Sequence, residues 1–528
     1  MDSRQITILV CVALYMLMCI AVGVWAMRRT KSSKDFFVAG RNLGVLVAGL
    51  AIFSSQLSGF GFVGGPGLVY RMGVSSFWLI VCASIGHCLS FYLVAKRLRL
   101  VAELRDSVSL PDAVAARYNS ETSRFLTALA ILLGVMGYLA TQILAMATVL
   151  RSIVPKIEFV DRINNSLYGI AKWGSETLHL PIVVQESGLE IYVVFSVAVL
   201  VFYCVTGGII ASVYTDLVQG AVMVIAAILV FVAAASAATA NLDGSGFTAM
   251  STVILEDDRE AIGPWGTLGV MGCLSWLFIF AMGAMGQPHI ITKMMMYRNV
   301  RDARSILIVS LTGFTLAALL WIGIGMVMRA LVLSGSHPEL ATPDSAAAQF
   351  LQHYTHPLLA GIVFAGLFAA IMSTADGFLN IGAAAIVHDI PKAIRGRSLN
   401  NELFWARTAT VIIALVAALI ALYSGETLVA LLGAFGWGTF AAALVPAVAI
   451  GLNWKRATAF AVNATIIVSL VLSIGLKFAS NIWPSFAIPW GIDGGAISLL
   501  VSLTLFFGIS LCSKPPKIDS DIEAVMDL

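Results

Sequence analysis

Apolar runs separated by short polar segments fill the chain from end to end. They predict thirteen membrane-spanning helices, at 5–28, 42–70, 74–98, 121–153, 188–207, 209–240, 264–291, 302–334, 357–388, 402–423, 426–449, 456–477 and 491–512. Each run is near the roughly 20 apolar residues a helix needs to cross a bilayer. Two runs are interrupted where the bilayer centre should fall. The first carries Phe53-Ser54-Ser55-Gln56-Leu57-Ser58-Gly59-Phe60-Gly61, and the second carries Gly283-Ala284-Met285-Gly286-Gln287-Pro288-His289. Non-helical backbone survives at that depth only where it is buried in protein or lines a wet cavity. Both runs therefore predict helices that unwind, with carbonyls and hydroxyls free to hold an ion or a solute. Matched interruptions in two halves of a chain point to the binding site of a secondary transporter. Spans 2–6 and 7–11 make two blocks of five, each opening on an interrupted helix. This predicts an inverted five-helix repeat, with 42–240 as the first repeat and 241–449 as the second. Residues 1–41 then form a peripheral first helix with an inner loop, 450–512 two further peripheral helices, and 513–528 a cytoplasmic tail.

Composition sharpens this picture. The chain is 59% hydrophobic and 12% charged, against about 25% charged in soluble domains, which excludes a soluble protein. The net charge of +3 gives no sign of a nucleic-acid partner, and no obligatory protein partner is evident. With the N-terminus outside and spans alternating, 23 of the 32 basic residues fall on the inner side. These include Lys96 to Arg124, Lys293 to Arg304 and Lys392 to Arg407. That asymmetry obeys the positive-inside rule only for an odd number of spans, and it places the C-terminus in the cytoplasm of a plasma (inner) membrane. The first span is too long for a signal-peptide core, and its basic flank follows it. The long loops at 154–187, 241–263 and 335–356 fall outside. The first of them, with Trp173 and Ile182-Val183-Val184, can hold a short surface helix. The tail from Ser513 reads as disordered. The seven cysteines lie in or at the ends of spans and form no metal or disulfide pattern. No Walker motif, haem pattern or catalytic triad is present, so the chain reads as neither ATP-driven nor an enzyme.

The polar residues inside spans carry the chemistry. Span 9 contains Ser373-Thr374-Ala375-Asp376-Gly377. Sodium is a hard cation that hydroxyls and unwound carbonyls can hold without a full negative charge. Helix 2 offers the carbonyls and helix 9 the hydroxyls. The alternative is that both hydroxyls bond back to carbonyls one turn earlier. Asp216 lies within span 6, where a carboxylate costs roughly 2.5–3.5 kcal/mol on insertion scales and is a functional hypothesis by default. A helix-end acid or a structural hydrogen bond are its other readings. Asp376 is read as a sodium ligand, a proton carrier or a structural acceptor. His289 reads as a helix-end polar contact, and Gly64-Gly65-Pro66-Gly67 as a site of close helix packing. Gln142, near the middle of span 4, is read either as a solute contact or as an interhelical hydrogen bond.

Taken in order, these motifs resemble the sodium:solute symporter family over nearly the whole length. The resemblance is carried by Gly40-Arg41-Asn42-Leu43-Gly44, Gln56-Leu57-Ser58-Gly59-Phe60, Gly64-Gly65-Pro66-Gly67 with Tyr70, and Gly207-Gly208 with Thr215-Asp216 and Gln219. Gly286-Gln287-Pro288-His289-Ile290 and Ala370-Ile371-Met372-Ser373-Thr374 complete it. It implies an all-α integral membrane protein with a LeuT-type 5+5 inverted repeat and broken helices 2 and 7. It also implies a sodium site made by the backbone oxygens of Ser54, Leu57 and Ala370 and the hydroxyls of Ser373 and Thr374. Some members hold a second ion between the Asp of the Thr-Asp motif, here Asp216, and further serines. Those serine positions are here Asp376 and Gly377, so a second sodium site is either absent or built differently, and Asp216 with Asp376 is the candidate second ion or proton site. The Gly-Gln-Pro-His-Ile string is similar to sodium/proline permeases. The Phe-Val-Gly-Gly-Pro-Gly run is more similar to pantothenate permeases. Proline permeases carry an acid at the position of Gln56, and a Trp and a Tyr at those of Phe280 and Ala284.

The resulting expectation is a sodium-coupled symporter importing a small polar organic solute, such as an amino acid or a carboxylate or vitamin, by alternating access. Sodium is the coupling ion, and the solute and the lipid bilayer are the partners. Candidate solute contacts are Gln56, Ser58, Phe60, Gln142, Phe280 and Ala284. The alternatives are a proton-coupled symporter using Asp376 or Asp216, and a non-transporting solute sensor of the same fold.

Overall fold

The computed structural model describes residues 2–28, 33–154, 158–177, 188–423, 429–482 and 488–528. Among these it is helical throughout. Eleven helical segments are long and apolar enough to cross a membrane, and Val45–Gln56 and Glu190–Phe202 are shorter apolar helices. The run expected at 42–70 is split: Val45–Gln56 ends at the break, and an apolar segment continues from Gly61 and turns at Gly73, where φ is 66°.

Burial separates centre from periphery. In the segment Pro357–Arg395, 83% of the apolar window is buried, against 28% for Ser3–Ala26. The former therefore runs through the protein core and the latter faces lipid along most of its surface. The helix Pro357–Ala384 starts with proline in its first turn, where the missing N–H is unneeded. It then packs against both the first broken helix and the long segment Glu190–Asn241. That segment is two helices joined at Gly208 (φ 58°, ψ −163°), a conformation essentially reserved for glycine. An added Cβ there would lie 2.5 Å from the Phe36 ring. The boundary expected between 207 and 209 is thus fixed both by backbone conformation and by space.

The two broken helices are tied together at one end. Leu43, just before the first, pairs with Tyr297, just after the second, through Leu43 N–H to Met296 O (3.2 Å) and Arg298 N–H to Leu43 O (3.0 Å). Arg99 donates from Nε to the Tyr297 carbonyl at 2.8 Å, closing that end with a buried guanidinium. The run Gly64-Gly65-Pro66-Gly67 packs closely, as expected. A Cβ on Gly65 would sit 2.3 Å from the Trp321 ring, and one on Gly67 would sit 2.8 Å from the Pro343 carbonyl.

Several surface expectations need correction or extension. The tail is ordered: Ser520–Met526 is a helix that buries Ile522, Val525 and Met526. Its acids are held by two cations, Arg105 to Asp519 and Asp521 at 2.6 Å each, and Lys455 to Glu523 at 3.0 Å. Sequence reasoning saw only its polarity and missed the Ile-x-x-Val-Met stripe. The 154–187 loop holds a helix at Glu158–Thr177 that includes Trp173, while Ile182-Val183-Val184 lies outside the described residues. The loop at 241–263 contains the helix Gly246–Asp257, and the one at 335–356 contains Ala346–Tyr354.

Two outcomes follow. Gly208→Ala is expected to cost about 1–3 kcal/mol through backbone strain, lowering the thermal unfolding midpoint. Adding Phe36→Ala should not restore it, because removing the ring leaves the positive φ in place. For the tail, hydrogen bonding and charge from Arg105 hold the Asp521 carboxyl below its ordinary value, and Asp527 and Glu523 hold the Lys455 ammonium above its own. A depressed acid contributes above its unfolded pKa and loses that contribution as pH falls through the folded one; a raised base does the reverse. The clamp should therefore be complete between about pH 4 and pH 10. Limited proteolysis near residues 513–519 should accelerate in Arg105→Ala/Lys455→Ala at neutral pH, whereas the wild type should stay protected.

Candidate functional site

The first break is a short stretch of extended backbone. Val45–Gln56 ends at Leu57 (φ −97°, ψ 93°), and a wide helical turn at Phe60–Gly64 leads into Gly65–Met72. Such wide turns recur at functional sites. Every backbone group released by the break has to find a partner, because no lipid can offer one. The Gly59 N–H donates to Gln142 Oε1 at 2.8 Å. The Ser54 carbonyl accepts from the Ser373 hydroxyl at 3.0 Å, and the Ser55 carbonyl accepts from Thr374 at 3.2 Å. Both hydroxyls also reach Ala370 O, at 3.1 and 3.3 Å. All of these residues are buried.

Four of the five residues expected at the sodium site therefore meet: Ser54, Ala370, Ser373 and Thr374. Leu57 marks the break itself, and the Thr374 hydroxyl reaches Ser55 rather than Leu57. The back-bonding to Ala370 is present alongside the contacts to the broken helix, so the two readings of these hydroxyls describe the same atoms. The donor set is all oxygen and uncharged, and a hydroxyl can turn its proton aside to present a lone pair. That chemistry suits a hard monovalent cation.

A charged cluster adjoins these oxygens. Lys293 is the last residue of the short helix Pro288–Lys293, which follows the second break at Gln287 (φ −77°, ψ 105°). It was expected on the inner surface. It is instead 2% exposed, and its ammonium lies 2.6 Å from Asp216 Oδ2 and 3.4 Å from the Ala51 carbonyl. It also donates to the Ser55 hydroxyl. The only sequence signal for this pairing was an intramembrane acid without an obvious counter-charge. Asp376 joins this cluster through a shared hydroxyl. Its Oδ1 accepts from the Ser212 hydroxyl at 2.9 Å, and the same hydroxyl lies 3.5 Å from Asp216 Oδ2. The structure therefore gathers both predicted acids into one dry cluster.

The predicted solute contacts separate into two groups. Gln56 and Phe280 line one tight cavity of about 10 Å³ with Trp321 and Trp437. Gln56 Nε2 donates to Ala83 O at 3.4 Å, and its Oε1 makes no hydrogen bond among the described residues. Ser58 and Gln142 face the opposite side of the break, Ser58 with its hydroxyl 3.3 Å from that of Tyr138. Ala284 is buried at the contact with Gly86, where an added Cβ would come within 2.7 Å of it, so it packs helix on helix. The side chain of Phe60 lies outside the described residues. His289 is buried, its ring 4.3 Å from Phe378 and 5.9 Å from Tyr138. A larger cavity of about 400 Å³, lined in part by Trp276, Phe435, Lys477 and Asp493, lies on the far side of Phe280. Phe280 packs against Trp276 (5.8 Å), which lines the larger cavity, and against Trp437 (5.7 Å), which lines the smaller one with it. Trp437, Trp321 and Tyr138 were missed by sequence reasoning, because an aromatic residue in an apolar span carries no mark of which cavity it faces.

One more polar cluster lies towards the basic face. Asp112, His388 and Asp389 bring ligand atoms within 4.8 Å of one another. The Asp112 oxygens are already engaged by Arg124, by Lys392 at 3.0 Å and by His388 at 3.0 Å, and His388 also meets Glu402 at 3.0 Å. These charges balance one another as an ion-pair network joining four helical segments.

Comparisons with known proteins agree with this geometry. The model of the sodium:solute symporter family matches residues 36–155 and 183–468. The sodium/proline symporter of Staphylococcus aureus strain JH9 is 26% identical over 532 residues, covering 98% of this chain and 95% of its own; that of strain NCTC 8325 matches equally. Among solved structures, a substrate-bound, outward-open Na+-coupled sialic acid symporter superposes with a TM-score of 0.74 at 18% identity, covering 97% of this chain and 99% of its own. A transporter of the nucleobase-cation-symport-1 family in a closed conformation gives a TM-score of 0.51 at 14% identity, covering 93% and 98%. The all-helical architecture is thus shared with LeuT-fold transporters, and the chain is a multi-pass membrane protein with no enzymatic role. A buried oxygen set at a helix break, served by a Ser-Thr pair from a distant helix, occurs in a chain matched over most of its length: this protein belongs to the sodium:solute symporter family.

Proposed function

We propose that this protein is a sodium-coupled symporter that imports a small polar organic solute by alternating access. The observation that carries the reading is the convergence of Ser373 and Thr374 on the Ser54 and Ser55 carbonyls at the break. In this reading sodium is held by the Ser54 and Ala370 carbonyls and the two hydroxyls, with Leu57 supplying a further carbonyl. A cation there bridges the broken helix to the helix Pro357–Ala384. Holding those two elements together fixes Gln56 and Ser58, the residues on either side of Leu57, for the solute. Coupling is reciprocal, so solute raises sodium affinity by the factor by which sodium raises solute affinity.

The solute class follows from the wall chemistry. Gln56 offers both a donor and an acceptor, and its Oε1 is buried without a hydrogen bond among the described residues. Phe280, Trp321 and Trp437 supply apolar faces. That combination suits a small solute with a neutral polar group beside an apolar body, within the range of amino acids, carboxylates and vitamins. Phe280 acts as the barrier between the larger cavity and the solute position. The interruptions at Leu57 and Gln287 support a thirteen-helix arrangement with repeats at 42–240 and 241–449. The basic residues at one end support an N-terminus outside and a C-terminus in the cytoplasm of the plasma membrane. Proton coupling is the second reading, favoured by two buried carboxylates, Asp216 and Asp376, meeting at one Ser212 hydroxyl.

Thermal unfolding of the purified protein tests this directly. Sodium at 100 times its dissociation constant should stabilise the wild type by about 2.7 kcal/mol, with choline inert. Ser373→Ala/Thr374→Ala should abolish the response. In proteoliposomes a sodium gradient should drive accumulation of proline or of a solute found by screening. Uptake driven by a pH gradient in sodium-free buffer would establish the proton reading instead.

A further inference from the structure

The loop between the segments Val300–Leu333 and Pro357–Arg395 carries a short chain of hydrogen bonds outside the oxygen and charge clusters of the break. It starts at the Ser336 carbonyl, which can only accept. The Tyr354 hydroxyl lies 3.3 Å from that carbonyl, and His337 Nδ1 lies 3.1 Å from the same hydroxyl. A phenol has one proton to give. Both contacts are satisfied together only if Tyr354 donates to Ser336 and accepts from His337. Nδ1 of His337 then carries the ring proton, and Nε2 keeps its lone pair. An imidazole whose other N–H is fixed on a partner is the form in which histidine ligates a metal.

His353 stands beside this ring. The two imidazole centres are 5.5 Å apart, with their planes at 60°. An imidazole centre lies about 1.1 Å behind its nitrogen, so two rings on one tetrahedral zinc stand about 5 Å apart at a Zn–N distance of about 2.0–2.1 Å. The observed separation is close to that. Ligating imidazoles have to be neutral. Burial and the neighbouring His353 ring hold His337 below the ordinary imidazole value, so it is uncharged at neutral pH. His337 is buried and His353 exposed, so one ring is fixed and the other can turn to meet an ion arriving from water. The His337 backbone is anchored as well, its N–H donating to the Leu331 carbonyl at 2.9 Å, and His353 is held in the helix Ala346–Tyr354.

We propose that His337 and His353 form a site for one divalent transition-metal ion of borderline softness, zinc or copper(II), with water completing its coordination and Tyr354 positioning His337. Imidazole suits those metals, whereas calcium and magnesium want oxygen ligands. The site goes beyond the sodium-coupled reading and stands apart from it, because the two share no residue. A bound ion closes residues 337–353 into a loop. The turn Pro343–Ser345 inside that loop is the one that meets Gly67, on the helix that follows the first break. The ion thus fastens an element that packs on the broken helix.

Calorimetric titration of zinc chloride into the purified full-length protein tests the site, together with electron paramagnetic resonance of copper(II) added at one equivalent. The wild type should bind a zinc ion that calcium and magnesium do not displace, and its copper(II) signal should show two coordinated imidazoles. His353→Gln should weaken zinc binding by at least about tenfold and leave one imidazole on copper(II). Because His353 is exposed, that variant keeps its fold and decides the matter if His337→Gln does not fold. Tyr354→Phe should weaken zinc binding by about 10–100-fold while both imidazoles remain on copper(II) at saturation, as a positioning role requires. His356, in the same stretch, instead accepts from the Leu358 N–H through Nδ1 at 3.3 Å, and His356→Asn should bind zinc as the wild type does. Zinc should raise the thermal unfolding midpoint of the wild type and of His356→Asn, but not that of His353→Gln. Wild-type affinity in folded His353→Gln, a single imidazole on the wild-type copper(II), or an equal loss in His356→Asn would overturn the site. Unchanged affinity in Tyr354→Phe would overturn the role given to the tyrosine.

Discussion

Backbone groups inside a membrane cannot be left to solvent, and that constraint organises this protein around residues 54–59. Breaking a helix there releases carbonyls and an N–H that only other helices can receive. Gln142 receives the Gly59 N–H, Ser373 and Thr374 serve the Ser54 and Ser55 carbonyls, and Lys293 approaches Ala51. Three separate helical segments are drawn to one point. The atoms that satisfy the break include those of the proposed sodium site, so structural need and the proposed binding chemistry fall on the same groups.

Charge burial follows from this arrangement. Asp216 and Lys293 would each be costly alone at this depth, but they arrive from different helices to within 2.6 Å. Such a pair contributes more to specificity than to stability. It fixes how the helix after the second break docks against the first broken helix, and it sets the electrostatic field at the neighbouring oxygens. In the proposed sodium site, a cation would meet polar groups that are already oriented, which limits the reorganisation needed on binding.

The ends of the bundle are built from different materials. Towards the basic face, Asp112, Arg124, His388, Lys392 and Glu402 form a network, and the tail helix clamps Arg105 and Lys455. At Phe280, the proposed barrier, the contacts are aromatic: Trp276 meets the ring edge to face and Trp437 meets it tilted. Alternating access requires each barrier to open in turn. Ion pairs can exchange partners with water, whereas packed rings part by rotating side chains.

The sequence by itself determined the membrane character, the two interruptions and the oxygen chemistry of the Ser-Thr pair. These are local properties: apolar run length, glycine and proline placement, and residue type at a given spacing. It also marked Asp216 and Asp376 as costly enough to need a purpose. Tertiary structure alone decided the partner of each acid. Lys293 lies 77 positions from Asp216 in the chain, next to other basic residues that do reach the surface, and nothing local distinguishes it from them. The same holds for Trp437 and Trp321, whose facing depends on how distant helices rotate, and for Ala284, whose small size serves the contact with Gly86. The tail helix was hidden for a related reason. Its three apolar residues form a stripe too short to stand out, and they are buried only because the tail docks against the helix Lys96–Leu104.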